Sequence, residues 1–343
     1  MTMSLKPNTP LWRKAVGKYE NPSLPHSLRQ IANTIIPYFM FWGMMYLSLQ
    51  RSYWITLVLA VPAAGFLIRT FIIMHDCGHG SFFKSKQLNR MLGFLTGLLI
   101  FTPAYAWSHE HAKHHACAGD LDHQGHGDIW TLTVQEYLSL SPWKRLWYRT
   151  YRHPVVMFGF GPLYIFLIRH RFWHPRDSIQ ARWSTMRTNG GLLIIVVVMS
   201  LTIGFQAYLL IQLPIIFLAA VAGVWLFYIQ HQFQGTYWER HDKWRFVREA
   251  YEGASFYKLP RILQWFTGNI GFHHVHHLGP RIPNYHLQKC HESESIFRTV
   301  KPLTPKASLQ SITYRLWDEE RKQLVSFGSL KMVLSKGLML SQQ

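Results

Sequence analysis

The stretch "ANTIIPYFMFWGMMYLSLQRSYWITLVLAVPAAGFLIRTFIIMHDCGH" runs from Ala32 to His79. It holds two apolar runs, residues 32–49 and 53–73, parted by little more than the polar break QRSY, and it ends on two histidines four residues apart. Each run is close to the roughly 20 residues an α-helix needs to cross about 30 Å of hydrocarbon. The pattern recurs at residues 191–211 and 213–230, parted by QLP. An all-α integral membrane protein is predicted, with four transmembrane helices in two hairpins. Almost no chain is left for the far side, so the polar remainder must form a helical cap on the near side.

Working outward, the composition agrees. The 343 residues are 48% hydrophobic and 15% charged, yet the mean hydropathy is −0.02, so apolar spans alternate with large polar segments. Lys and Arg outnumber Asp and Glu by 36 to 17, a formal charge of +19. Beside apolar spans such a field suits anionic headgroups or an acidic protein, and nucleic acid is not expected as a partner. The three cysteines, Cys77, Cys117 and Cys290, form no CxxC pair, so neither a disulfide framework nor a thiolate metal site is indicated.

The N-terminal thirty residues are polar and broken by proline, unlike a cleavable signal peptide. Lys6, Arg13, Lys14, Lys18 and Arg29 precede the first span, and "RHRFWHPRDSIQARWSTMR" precedes the third. The positive-inside rule then places the near side in the cytoplasm. Two shorter apolar stretches, 91–106 and 155–168, contain Gly and Pro and are expected to be interfacial or re-entrant. With no repeat and no flexible linker, one domain is expected: a cytosolic segment 1–30, a stem and cap at 31–320, and a tail at 321–343.

The histidines fall at the cytoplasmic ends of the apolar segments. In "HDCGHGS", His75 and His79 lie at i and i+4; in "HEHAKHH", His111, His114 and His115 lie at i, i+3 and i+4; in "HHVHH", His273, His276 and His277 repeat that spacing. His231 follows the fourth span in "FYIQHQF". Such spacings line imidazoles along one helical stripe, from which they can reach one metal or two adjacent ones. A single zinc needs about four ligands, so these nine histidines suit two ions. Imidazole accepts iron, copper, nickel and zinc alike; the membrane setting and the absence of thiolate or haem motifs favour redox iron that activates O₂.

These motifs resemble those of the membrane-bound fatty acid desaturases, with boxes of the form HxxxH, HxxHH and HxxHH. "MHDCGHGSFF", "HAKHHA" with "GDLDHQGHGDIW", "GNIGFHHVHHLGPRIPNY", "QHQFQGTYW" and "SFYKLPRILQW" are similar to the acyl-lipid branch, over roughly residues 30–320. The resemblance implies a di-iron centre whose ligands map onto His75, His79, His111, His114, His115, His273, His276 and His277, with His231 as the ninth. The three-residue spacing of the first box argues against an acyl-CoA substrate. The resemblance also implies O₂-dependent insertion of a cis double bond into an acyl chain of membrane lipid, at the cytoplasmic face of a bacterial inner membrane. Asp76, Glu110 and Asp128 are candidates to orient the ligating rings through their other nitrogens. Asn269 is a similar candidate, while His109 and His274 are expected not to bind the irons but to stand beside the ligating rings or to contact the substrate headgroup. With no haem, flavin or Fe–S motif in the chain, the two electrons per turnover must come from a separate donor such as ferredoxin. A membrane di-iron hydroxylase would share this histidine pattern, and a non-enzymatic metal transporter or sensor is the rival of a different class.

Overall fold

A computed structural model describes residues 10–125 and 128–330. Lys6, His126 in the "GHGDIW" stretch and residues 331–343 of the expected tail lie outside them. The chain is mostly helical. After α1 (Leu11–Gly17) come the long helices α2 (Leu24–Ser48) and α3 (Tyr53–Gly78), then α4 (Lys86–Leu99) and α5 (Ala104–Cys117). Short helices α6 (Val134–Ser139) and α7 (Pro142–Tyr151) lead into π-helical turns at Val156–Phe160 and Tyr164–Ile168, which flank α8 (Gly161–Leu163). Long helices α9 (Ile179–Thr202) and α10 (Phe205–His231) follow, and α11 (Phe246–Arg248) runs into a π-helical turn, Glu249–Gly253. The remainder comprises α12 (Arg261–Phe266), α13 (His273–Leu278), α14 (Asn284–Ser293) and α15 (Pro305–Ser308). Strand β1 (Phe256–Tyr257) pairs in parallel with β2 (Pro302–Leu303), and β3 (Leu316–Asp318) pairs antiparallel with β4 (Gln323–Val325).

Helices α3, α9 and α10 are long and apolar enough to cross a membrane. Helix α2 is long enough at 25 residues but is not among them, a departure from the span expected at 32–49. Its lipid-length stretch is diluted by Pro37, Tyr38, Trp42 and Tyr46, whose polar tips or ring lower its hydropathy. Helices α4 and α5 are bent against each other by 102°, as a broken span or a re-entrant loop would be. Gly97 permits the bend: a Cβ there would stand 2.6 Å from the Thr102 carbonyl, whose own amide returns to Gly97 O at 2.8 Å.

The second hairpin turns earlier than expected. The break falls at Ile203–Gly204, where Gly204 takes φ +90°, a conformation that favours a residue without Cβ. "QLP" at 212–214 lies inside α10 instead. Pro214 has no N–H for the Leu210 carbonyl one turn earlier, and the Tyr53 hydroxyl donates to that carbonyl at 3.3 Å.

The stem core joins α2, α3 and α10 through Tyr38, Met45, Ala60, Ala63, Leu67, Ile211 and Ile215. Polar atoms at depth are paired, as an apolar medium demands: Gln212 accepts from Trp42 Nε1 at 3.1 Å, and Ser48 and Thr56 hydroxyls share a 2.8 Å bond beside the first turn. Arg69 is buried, donating to Thr34 Oγ1 at 3.1 Å and to the Trp265 carbonyl, with its guanidinium over the Trp265 ring. By contrast α9 exposes Leu193, Ile194, Val197, Val198 and Leu201, a lipid-type surface.

The terminal segments pack on the cap. Val16 of α1 joins Val275, Leu278 and Ile282 in one core, and Lys18 reaches Glu294 at 2.8 Å. Strand β4 begins inside the segment read as tail, and Val325 and Leu330 are buried with Tyr148 and Leu316. Buried Arg152 ties three parts together, donating to Thr131 Oγ1, Gln232 Oε1 and Tyr314 O at 3.0–3.2 Å.

Candidate metal centre

Helices α3 and α10 bring ligand-type residues out of the stem at their C-terminal ends. Helix α5 and the short, wholly buried α13 close over them. All nine predicted histidines converge, and they sort into two groups rather than three. His75, His79, His111, His115 and His276 form one; His114, His231, His273 and His277 form the other. The groups abut, with the His115 and His277 rings 4.3 Å apart between centroids. Boxes two and three each supply both groups, because residues three and four apart on a helix differ in direction by about 40–60° around the shared stripe. His231, alone in its stretch of sequence, is central to the second group.

Four of the outward nitrogens are held. Asp76 Oδ1 takes His75 Nδ1 at 3.0 Å, Asp128 Oδ1 takes His114 Nδ1 at 2.7 Å, Glu249 Oε2 takes His277 Nδ1 at 3.0 Å, and the Gly253 carbonyl takes His231 Nδ1 at 3.1 Å. A carbonyl only accepts, so in neutral His231 the proton sits on Nδ1 and Nε2 is bare; an ionised Asp128 fixes the same tautomer in His114. Those two Nε2 atoms face each other at 3.1 Å. Two lone pairs at that distance inside a buried site repel unless a cation lies among them. His79 Nε2 and His277 Nε2 are buried with no hydrogen-bond partner, a second sign of a place for metal. Burial first, and neighbouring imidazoles second, push His273, His276 and His277 well below the ordinary histidine range, so they are neutral and free to coordinate. The donor set fits iron.

The π-helical turn Glu249–Gly253 is part of this arrangement, since such turns often occur at functional sites. The Ala254 amide returns five residues to Glu249 O at 3.0 Å, leaving the Gly253 carbonyl for His231. A Cβ on Gly253 would press on Tyr237 O at 3.0 Å and Glu249 Oε1 at 3.2 Å.

The supporting residues divide. Asp76 stands against His75 and Asp128 against His114. Glu110 instead pairs with Lys113 at 2.7 Å, with 42% of its side chain exposed. His109 is exposed on α5 and belongs to neither group. His274 is buried but turned away, its Nε2 3.0 Å from His291 Nδ1. Asn269, at φ +60°, gives its amide to Asn284 O at 3.1 Å rather than to an imidazole. Asn284 in turn donates through its backbone and side chain to Asp76 Oδ2 at 2.7 and 2.8 Å.

Sequence reasoning missed Glu249, Asn284 and Gly253. Glu249 left one signal: it is an acid in the apolar-flanked stretch "FVREAYEGASF" of a chain with only 17 acids, and it is wholly buried. On the stem side Trp107 stacks on His111 at 4.5 Å, and Phe227 covers His114 at 5.3 Å. A cavity of ≈ 20 Å³ beside His231, lined also by Asp128, Gln232 and Trp238, has room for about one water.

A profile of the family described as "Fatty acid desaturase" matches residues 52–302. The chain belongs to the fatty acid desaturase family. It is 49% identical over 320 residues to a fatty acid desaturase of Bacillus subtilis, covering 93% of this chain and 91% of that one. It is 27% identical over 236 residues to the sn-1 acyl-lipid omega-3 desaturase (ferredoxin) of Synechocystis, covering 65% and 62%. It is 26% identical over 266 residues to an endoplasmic reticulum omega-3 fatty acid desaturase of Vigna radiata, covering 72% and 66%. The chain is an enzyme of lipid desaturation, which displaces the transporter and sensor reading, and a membrane protein with clustered histidines able to hold metal.

Proposed function

We propose that this desaturase uses two irons and O₂ to place a cis double bond in an acyl chain of a membrane lipid. The observation that carries the reading is the pair of bare Nε2 atoms of His114 and His231, 3.1 Å apart and each fixed from behind, in a chain of this family. One iron would be held by His75, His79, His111, His115 and His276, the other by His114, His231, His273 and His277. Bound irons would supply the oxidant that an unactivated methylene C–H requires. Overall, one acyl CH₂–CH₂ unit, O₂, two electrons and two protons give one CH=CH unit and two waters.

The protein's own part is to orient and to exclude. Asp76, Asp128, Glu249 and the Gly253 carbonyl keep the ring protons on Nδ1, so that Nε2 faces inward. Trp107 and Phe227 give the centre an apolar wall on the stem side. The electrons would come from a separate donor, with ferredoxin favoured because the Synechocystis relative carries it in its name. The whole chain, residues 1–343, would act as one domain, with α2, α3, α9 and α10 as four spans and the cap at the cytoplasmic face of a bacterial inner membrane. The basic residues ahead of α2 and α9 support that orientation.

The test is expression in a host without polyunsaturated lipids, with products mapped by mass spectrometry after derivatising double bonds. A product two mass units lighter is expected. A product sixteen units heavier would make the enzyme a hydroxylase, and folded, iron-loaded protein giving neither would sink the proposal.

A further inference from the structure

The two segments that leave the second histidine group meet again at the surface. The Leu121 amide donates to Glu239 O at 3.0 Å and the Glu239 amide to Gly119 O at 2.9 Å, forming a bridge that pairs Asp120 with Glu239. At this seam three ligand-type side chains converge, and none belongs to the nine. Asp120, with 3% of its side chain exposed, receives His123 Nδ1 at 2.8 Å and His241 Nδ1 at 2.6 Å on the same oxygen, Oδ2. The two rings stand 4.5 Å apart, and each is more than half exposed. The other oxygen, Oδ1, is fixed by the Asp122 amide at 3.0 Å.

One carboxylate oxygen taking two imidazole N–H groups is the protonated form of a metal site. Replacing the two bridging protons by one divalent cation leaves the same three atoms around it. Burial works against the Asp120 charge, but hydrogen bonds from His241, His123 and the Asp122 amide outweigh it and hold the carboxyl below its ordinary range. The surrounding charges point the same way. Arg240 is bonded to Asp122 and Glu319, and Lys322 to Glu239. With Asp120, this bonded network has four carboxylates against two cations, a deficit that one divalent ion fills.

We propose that Asp120, His123 and His241 form a third cation site, for a divalent transition-metal ion such as Zn²⁺ rather than Mg²⁺ or Ca²⁺, with its remaining positions open to water. Two nitrogens and one oxygen suit zinc, whereas magnesium and calcium favour oxygen alone. Tetrahedral zinc, with bonds of about 2.0–2.1 Å, separates its ligand atoms by about 3.3 Å. Each half-exposed imidazole therefore retreats by roughly half an ångström. A bound ion clamps the loop that carries Asp128, the partner of His114, to the segment that follows His231. The site stands independently of the iron reading.

The test uses the full-length protein with its resident metals, titrated with Zn²⁺ and, as a spectroscopic probe, Co²⁺. Wild type should take up about one extra Zn²⁺ per chain, show a tetrahedral Co²⁺ absorption band and melt at a higher temperature with zinc. His123→Ala/His241→Ala should do none of these while keeping its resident metals. If the double variant does not fold, His123→Gln should bind zinc at least ~10-fold more weakly. Wild type that takes no extra ion, or variants that take it as wild type does, would overturn the proposal.

Discussion

His276 and His277 are chain neighbours that serve different groups. His276 Nε2 lies 3.0 Å from His75 Nε2, while the His277 ring lies 4.7 Å from that of His231 and bonds Glu249 behind it. Successive residues on a helix point about 100° apart, so the short α13 straddles both groups. Removing either residue should empty a different position.

That gives a pattern of additivity. His276→Ala and His231→Ala should each lower bound iron from about two to about one per chain and abolish desaturation, since each opens a coordination position. Combined, they should leave almost none. His231→Ala with His273→Ala, both from one group, should still leave about one. Iron measured per chain decides it, and equal loss in the two double variants would refute the division.

Glu249 should matter nearly as much as a ligand. Glu249→Gln can offer an amide N–H to His277 Nδ1 and so turn the ring's proton toward the metal side. Activity or iron affinity should fall roughly 10–100-fold with the fold intact by circular dichroism. Wild-type values for both would remove Glu249 from the site.

His274 should behave in the opposite way. It is fully buried against His291 and Phe297, so His274→Ala should cost about 1–3 kcal/mol of stability through the lost bond and the space left behind. The variant should melt earlier yet keep its iron. Lost iron at unchanged melting temperature would contradict the assignment.

Topology can be read by cysteine labelling in a Cys117→Ser background, where Cys77 and Cys290 are buried. An impermeant maleimide should label Arg51→Cys and Thr202→Cys in intact cells and should reach Lys306→Cys only after the membrane is opened. Labelling of Lys306→Cys from outside would invert the proposed orientation.

The histidines were legible because their spacing is local: i, i+3, i+4 survives whatever packs around it. Asp76 and Asp128 were found because they lie close in sequence to the rings they hold. Glu249 and Asn284 approach from distant segments, and only tertiary packing brings them in. The misplaced second turn has a different cause. Pro214 reads as a helix break, but Tyr53 on a neighbouring helix satisfies the carbonyl it frees. The run around Tyr38 and Trp42 is less apolar than α3, α9 and α10 because long aromatic side chains with polar tips weigh less in hydropathy than in packing.

Helix α10 runs unbroken for 27 residues and ends on His231, so its apolar shaft and its proposed metal ligand share one rigid register. Each residue of helix is worth about 1.5 Å of rise and 100° of rotation. Lipid-facing side chains along the shaft can be exchanged with little effect at the tip. A single inserted or deleted residue anywhere between Phe205 and Tyr228 would swing His231 off the Gly253 carbonyl and out of line with His114. The thickness of the stem is thus a tolerance on the geometry of the metal centre, set in whole-residue steps some forty ångströms long in their sum.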